Sequence, residues 1–150
     1  MKGNDTHSSY LFVYGTLMQP FDTSMNCYLQ RHSRFLGAAE VKGRLYDLGR
    51  YPGLRLDGVV GRSICGHVYK LDRPGEVLAI LDRYEGYDPS RPEAGEYRRT
   101  RINLDWGGQV LLCWVYLYNA EVDDLPEITS GNYLDYVTQN PVHQSFINSI

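Results

Sequence analysis

The sequence predicts an α+β fold in which a small mixed β-barrel carries flanking helices. Three observations lead there. Apolar and aromatic runs with strand character dominate the chain, helical patterns follow the first strand and separate the middle ones, and the strand spacing suits a small barrel. With 150 residues the chain is sized for one domain, 1–150, around one core. No repeat, linker-like shift in composition or low-complexity segment divides it.

Residues 1–8 read as a loose polar tail. The first strand is Tyr10–Tyr14, within YLFVYGTL, and it stops at Gly15 with no turn cluster to announce the end. A strand tip that changes course at glycine exposes backbone N–H groups. A loop around Pro20 follows, and Asp22 or Thr23 caps a short helix through Tyr28 and Leu29 to about His32. Phe35–Leu48 has strand character, with Gly37 and Gly43 as candidate bulges. LGRYPG, Leu48–Gly53, reads as a turn by its Pro-Gly pair. Ser63–Leu71 alternates as a strand, with Ile64, Gly66 and Val68 on one face and Cys65, His67 and Tyr69 on the other.

DRPGEVLAILDRYEG is the clearest helix. Asp72 is its expected cap, Pro74 suits the first turn, and Val77, Ile80, Leu81 and Tyr84 form an apolar stripe that Gly86 ends. Tyr97–Leu104 and Gln109–Tyr118 read as two strands joined at Asp105-Trp106-Gly107-Gly108. Ile128–Val137 mixes a Ser-Gly turn with aromatic residues, and Pro141–Ile150 is expected as a short helix or coil on the surface.

Composition narrows the function. A net charge of −3 and the absence of basic runs beyond YRRTR speak against nucleic-acid binding. No apolar run is long enough for a membrane span, and MKGNDTHSS lacks the apolar stretch of a signal peptide. Cys27, Cys65 and Cys113 are scattered without a CxxC pair, which fits a reducing, cytoplasmic setting and neither a disulfide framework nor a structural zinc site. The 13 tyrosines suit strands and pocket walls with one wet end.

Three segments together resemble the γ-glutamylcyclotransferase superfamily, in its avirulence-induced and γ-glutamylamine cyclotransferase branch. VYGTL resembles the family's signature loop, LDRYEG (Leu81–Gly86) its acid-bearing helix end, and EYRRT (Glu96–Thr100) its tyrosine–x–arginine strand. LGRYPG and SGNYLDYV also resemble segments of small bacterial members. The likeness spans roughly Leu11–Tyr136. It implies a compact fold with a small β-barrel, flanking helices and a deep cavity. The implied reaction is attack of the free α-amine of a γ-glutamyl group on its own γ-carbonyl, releasing 5-oxoproline and the γ-linked amine. No metal or organic cofactor is implied, and the implied partner is a small γ-glutamyl substrate.

The resemblance makes Glu85 the catalytic acid–base residue. The chemistry suits it: an ammonium must lose a proton before it attacks, and a carboxylate serves best when its pKa is raised toward the working pH. A helix C-terminus and apolar burial both push that way. Tyr14, Gly15, Thr16 and Leu17 are the candidate anion cradle, for either the carbonyl oxyanion or the substrate carboxylate. Tyr97 and Arg99 share a strand face and are the next substrate-binding candidates. Arg99 could grip a carboxylate or pair with Glu85, which would lower the pKa of that acid. Tyr51-Pro52-Gly53 and Tyr133 are candidate rim residues. Cys65 and His67 stand two apart, too far for direct proton transfer, and read as wall or core. Specificity is expected in LGRYPGLRLDGVVG and DPSRPEAG. A non-catalytic small-molecule binding module with the same cavity is the alternative function. Neither the particular substrate nor the oligomeric state is legible.

Overall fold

The computed structural model describes residues 8–56 and 61–150. The expected tail therefore falls outside the described residues except for Ser8. That residue is buried, and its hydroxyl donates to the Leu112 carbonyl. Six strands, β1 (Tyr10–Val13), β2 (Ser33–Asp47), β3 (Pro52–Arg55), β4 (Arg62–Leu71), β5 (Tyr97–Trp106) and β6 (Gln109–Tyr118), form one sheet in the order β3-β2-β4-β1-β6-β5. Among the described residues four helices flank it: α1 (Ser24–Arg31), α2 (Pro74–Glu85), α3 (Tyr133–Val137) and α4 (Pro141–Ser149).

The α+β class and the mixed sheet match the expectation. β1 sits in the interior of the sheet, antiparallel to β4 and parallel to β6. Its residues Leu11, Phe12 and Val13 are buried because both faces are covered. The sheet curls without closing into a hydrogen-bonded barrel: β3 and β5 are its two ends. Side chains bridge the gap. The Tyr97 hydroxyl donates to the Pro52 carbonyl at 2.6 Å. The Tyr14 hydroxyl accepts from the Leu54 N–H at 3.2 Å and donates to the Tyr116 carbonyl at 2.7 Å. Two buried tyrosines thus tie β3 across the hollow of the curled sheet.

Four local expectations change. LGRYPG is a turn only as far as Tyr51, since Pro52 and Gly53 open edge strand β3, where a residue with no N–H is tolerated. Of the two candidate bulges, the register shifts only between Phe35 and Gly37, while Gly43 pairs regularly with Arg62. Asp72 does not cap α2, whose N-cap is Arg73 with no side-chain bond. Thr23 does cap α1, accepting from the Asn26 N–H, and Gly86 ends α2 in the left-handed region at φ 72°. The buried stripe of α2 is Val77, Leu78, Leu81 and Asp82, rotated slightly from the expected one.

The C-terminal helices are docked more firmly than a surface coil. His143 of α4 is fully buried, with Nε2 2.7 Å from Asp47 Oδ1 and Nδ1 2.7 Å from the Tyr133 hydroxyl. A carboxylate only accepts, so Nε2 carries a proton and donates to Asp47, while Nδ1 shares a hydrogen bond with the Tyr133 hydroxyl. Tyr136 also donates to Asp47. Burial alone would raise the Asp47 pKa, but the Tyr136, Gly49 and His143 hydrogen bonds outweigh it and hold the carboxyl below its ordinary value.

Candidate active site

Where β1 leaves the sheet, the chain turns: the Met18 N–H donates to the Gly15 carbonyl at 3.0 Å. The N–H groups of Gly15, Thr16 and Leu17 have no acceptor among the described residues. A Cβ at Gly15 would stand 2.8 Å from Pro52 Cγ, so glycine is needed there for space and not for an unusual φ. The loop is clamped from behind by Asn26, fully buried on α1, whose Nδ2 donates to the Met18 and Phe21 carbonyls at 2.8 and 2.7 Å. Sequence reading missed Asn26. An amide directed to its own helix's leading loop has no one-dimensional signature.

The C-terminal end of α2 meets this loop. The Tyr84 hydroxyl lies 3.3 Å from Thr16 Oγ1, and Glu85 is the last helical residue beside it. Between them lies a cavity of about 170 Å³, lined by Tyr14, Gly15, Thr16 and Leu17 from the loop, and by Glu85 and Tyr97. Six of the seven sequence-selected residues therefore come together. The Glu85 carboxyl receives no hydrogen bond from the described residues. Burial, then the nearby charges of Glu96 and Asp82, push it up from 4.5 to about 8. Tyr14 and Tyr97 are likewise pushed far up, chiefly by burial, and stay protonated donors at any ordinary pH.

Arg99 is the residue the structure does not bring to the cavity. Its Nε and Nη2 donate to Asp82 Oδ1 and Oδ2 at 2.8 and 3.0 Å, and its guanidinium lies 4.3 Å from the Trp114 ring centroid. The Tyr116 hydroxyl completes the set, donating to Asp82 Oδ1 at 2.7 Å. The fork faces an acid one helical turn before the cavity, so its partner in this structure is Asp82 and not Glu85. Asp82 escaped notice, although its i, i+4 spacing from Leu78 placed it on the buried side.

The far wall carries Tyr51 and Pro52, as expected of the rim, with Glu96, Tyr116 and Phe146, which the sequence did not single out. The Tyr51 hydroxyl donates to both Glu96 carboxylate oxygens, at 2.8 and 3.0 Å. Tyr133 does not line the cavity; it is buried against Phe21 and His143. His67 Nδ1 accepts from the Gln19 N–H at 3.3 Å, and Cys65 Sγ lies 4.0 Å from Glu40, so the two make no nucleophile–base couple. Among the described residues no three His, Cys, Asp or Glu side chains gather as metal ligands, and no helix is long and apolar enough to cross a membrane.

A curled mixed sheet with an acid at a helix end facing an N–H-rich loop defines a class: small α+β domains with a cavity where the first strand's loop meets a helix end. The chain belongs to the family described as "Gamma-glutamyl cyclotransferase, AIG2-like", whose sequence model matches residues 11–135. It is 34% identical over 127 residues to the "Gamma-glutamylcyclotransferase family protein YtfP" of Escherichia coli K12, covering 83% of this chain and 96% of that protein. A Vibrio cholerae relative is 41% identical over 129 residues, covering 85% and 96% of the two chains. The solution structure of Escherichia coli ytfP superposes with a TM-score of 0.60 at 31% identity, covering 85% of this chain and 98% of that one. A mouse aig2-like protein shares the fold, with a TM-score of 0.57 at 24% identity over 80% of this chain and 85% of that one.

Proposed function

We propose that the protein is a γ-glutamyl cyclotransferase that converts a γ-glutamyl amine to 5-oxoproline and the free amine, with Glu85 as general base and then general acid. The observation that carries this reading is the Glu85 carboxyl, which has no hydrogen-bond partner among the described residues, lines the cavity beside the Gly15 loop and is pushed up to about 8. Family membership supports the same class of reaction.

Glu85, as carboxylate, takes a proton from the substrate α-ammonium. At its ordinary 4.5 it would be a poor match for an amine, and at about 8 the transfer is far closer to balanced. The freed amine nitrogen attacks the γ-carbonyl carbon, forming the ring C–N bond and placing negative charge on the carbonyl oxygen. The Gly15, Thr16 and Leu17 N–H groups and the Thr16 hydroxyl supply hydrogen bonds to that oxygen and to the α-carboxylate. Collapse breaks the C–N bond to the departing amine, which takes the proton from Glu85; the freed carboxylate then removes the second proton from the ring nitrogen and passes it to the amine, which leaves as an ammonium ion. No water is consumed and the enzyme returns to its starting state.

The test is 5-oxoproline release from a panel of γ-glutamyl amines and γ-glutamyl amino acids. Glu85→Gln should lower kcat/KM by about 10²–10⁴-fold while remaining folded. Full turnover in that variant removes the acid–base role, and absence of product from the whole panel removes the cyclotransferase reading. In that second case a saturable ligand-induced rise in Tm would leave a binding module.

A further inference from the structure

We infer that Asn26 is a positioning residue for the reaction: it locks the central peptide of the turn after β1, so that the Leu17 N–H is aimed at the negative charge in the cavity. This deepens the cyclotransferase reading and rests on it. The turn is Gly15-Thr16-Leu17-Met18, closed by the Met18 N–H on the Gly15 carbonyl at 3.0 Å. That one bond fixes the Gly15–Thr16 plane by its carbonyl and the Leu17–Met18 plane by its N–H. The Met18–Gln19 plane is held on both edges, its carbonyl by Asn26 Nδ2 at 2.8 Å and its N–H by His67 Nδ1 at 3.3 Å. The Thr16–Leu17 plane makes no backbone hydrogen bond among the described residues. It is also the plane that can invert while a four-residue turn stays closed, since turn types I and II differ by that inversion.

Asn26 decides between the two orientations. Its Nδ2 faces the Thr16 carbonyl at 3.4 Å, together with those of Met18 and Phe21 at 2.8 and 2.7 Å. Two amide protons serve three carbonyls, so the long Thr16 contact shares a proton. In a trans peptide the C=O and the following N–H lie on opposite edges. With the Thr16 carbonyl turned to α1, the Leu17 N–H points away from α1, to the side of the cavity that Thr16 and Leu17 line. Inverting the plane would aim that N–H at the Asn26 amide protons, donor against donor. Turning the amide over would relieve the clash but set Oδ1 against the Met18 and Phe21 carbonyls.

The lock is rigid at its root. Asn26 is fully buried in the first turn of α1, and its backbone N–H donates to Thr23 Oγ1 at 3.1 Å. Stability alone does not call for an amide here. Asparagine is a weak helix former, and Asn26 Oδ1 is buried with no partner among the described residues, a condition native proteins seldom leave standing. An apolar side chain would strand no oxygen, but it would let the plane turn.

The test pairs two changes. Asn26→Ala removes the lock. Replacing the Leu17 N–H by an ester oxygen, introduced as the α-hydroxy analogue of leucine, removes the donor itself. Each should lower kcat/KM for 5-oxoproline release about 10–100-fold with wild-type circular dichroism, and the midpoint of the pH–rate profile set by Glu85 should not move. Together they should stay within about threefold of the ester protein alone, because Asn26 acts through that N–H. Losses that multiply, a shifted midpoint, or either single change within about threefold of wild type would overturn the inference. The ester protein keeps every side chain and reads the donor even where Asn26→Ala does not fold. One readout needs no turnover: a crystal structure of Asn26→Ala should show the Thr16 carbonyl turned from its α1-facing position, and an unmoved carbonyl would equally overturn the inference. Absence of 5-oxoproline from the wild type, with that carbonyl turned in the variant, would remove the cyclotransferase reading and leave the lock.

Discussion

The Tyr84 hydroxyl stands 3.3 Å from Thr16 Oγ1, joining the end of α2 to the loop after β1. These residues are 68 positions apart in the chain, and the bond fixes the distance between the proposed base and the proposed anion donors. It is partly buried and neutral, so its worth to stability is about 1 kcal/mol. Its worth to catalysis is positional: loosening it lets Glu85 and the Gly15 loop drift apart. Tyr84→Phe is expected to lower kcat/KM about 3–10-fold with little change in Tm. Thr16→Val should cost more, because it also removes a hydroxyl donor to the substrate, and the double variant should be no worse than Thr16→Val alone. Additive losses in that cycle would show that the two side chains act independently.

Glu85 also makes stability depend on pH. Its folded pKa is raised to about 8 from 4.5, so between those values the folded protein holds a proton the unfolded chain has released. The contribution is therefore neutral below about 4.5 and increasingly destabilising as pH rises to about 8, above which it is constant. Glu85→Gln removes that penalty. Urea unfolding should find the variant more stable than wild type at pH 9, with the difference shrinking toward pH 5. A difference that stays flat over this range, or that grows toward acid, would mean the carboxyl is not desolvated in the folded state.

The sequence made the centre of this site legible and its periphery opaque, for a physical reason. Gly15 and Glu85 mark abrupt local events, a strand that stops at glycine and a helix that ends at glycine, and local events leave local signatures. Asp82 and Arg99 are separated by 17 positions, and nothing near YRRTR indicates which acid the guanidinium will meet. β3 was hidden because Pro52-Gly53 has turn chemistry, yet at a sheet edge the missing N–H costs nothing. Phe146 reaches the cavity on α4, which His143 pins to Asp47, 96 positions away, a contact that no periodicity encodes.

Arg99 offers a direct contrast between a structural and a substrate-binding role. Its side chain and that of Asp82 are 15% and 7% exposed, so the pair is largely withdrawn from water. Removing the guanidinium leaves a buried carboxylate answered only by the Tyr116 hydroxyl. Arg99→Met should cost about 3–5 kcal/mol of unfolding free energy. Arg99→Lys should recover only part of it, because one ammonium cannot reproduce the fork. Combining Arg99→Met with Asp82→Asn should cost less than the sum. A rise in KM with unchanged stability would instead place the guanidinium on the substrate.

His143 links the C-terminal helix to the sheet and, through that helix, to the cavity wall. Its two ring nitrogens are both satisfied inside the protein, by Asp47 and by Tyr133. Truncating it leaves a carboxylate oxygen and a hydroxyl each short of a partner and opens a void the size of an imidazole. Together these cost about 2–4 kcal/mol. Helix α4 buries no other residue fully, so the loss falls mainly on its docking. His143→Ala should therefore speed amide hydrogen exchange throughout Pro141–Ser149 while strands β1 and β4 retain their protection. Phe146 would then leave Tyr51 and open that wall of the cavity. If α4 amides in His143→Ala exchange as slowly as in wild type, the imidazole is not what holds this helix against the sheet.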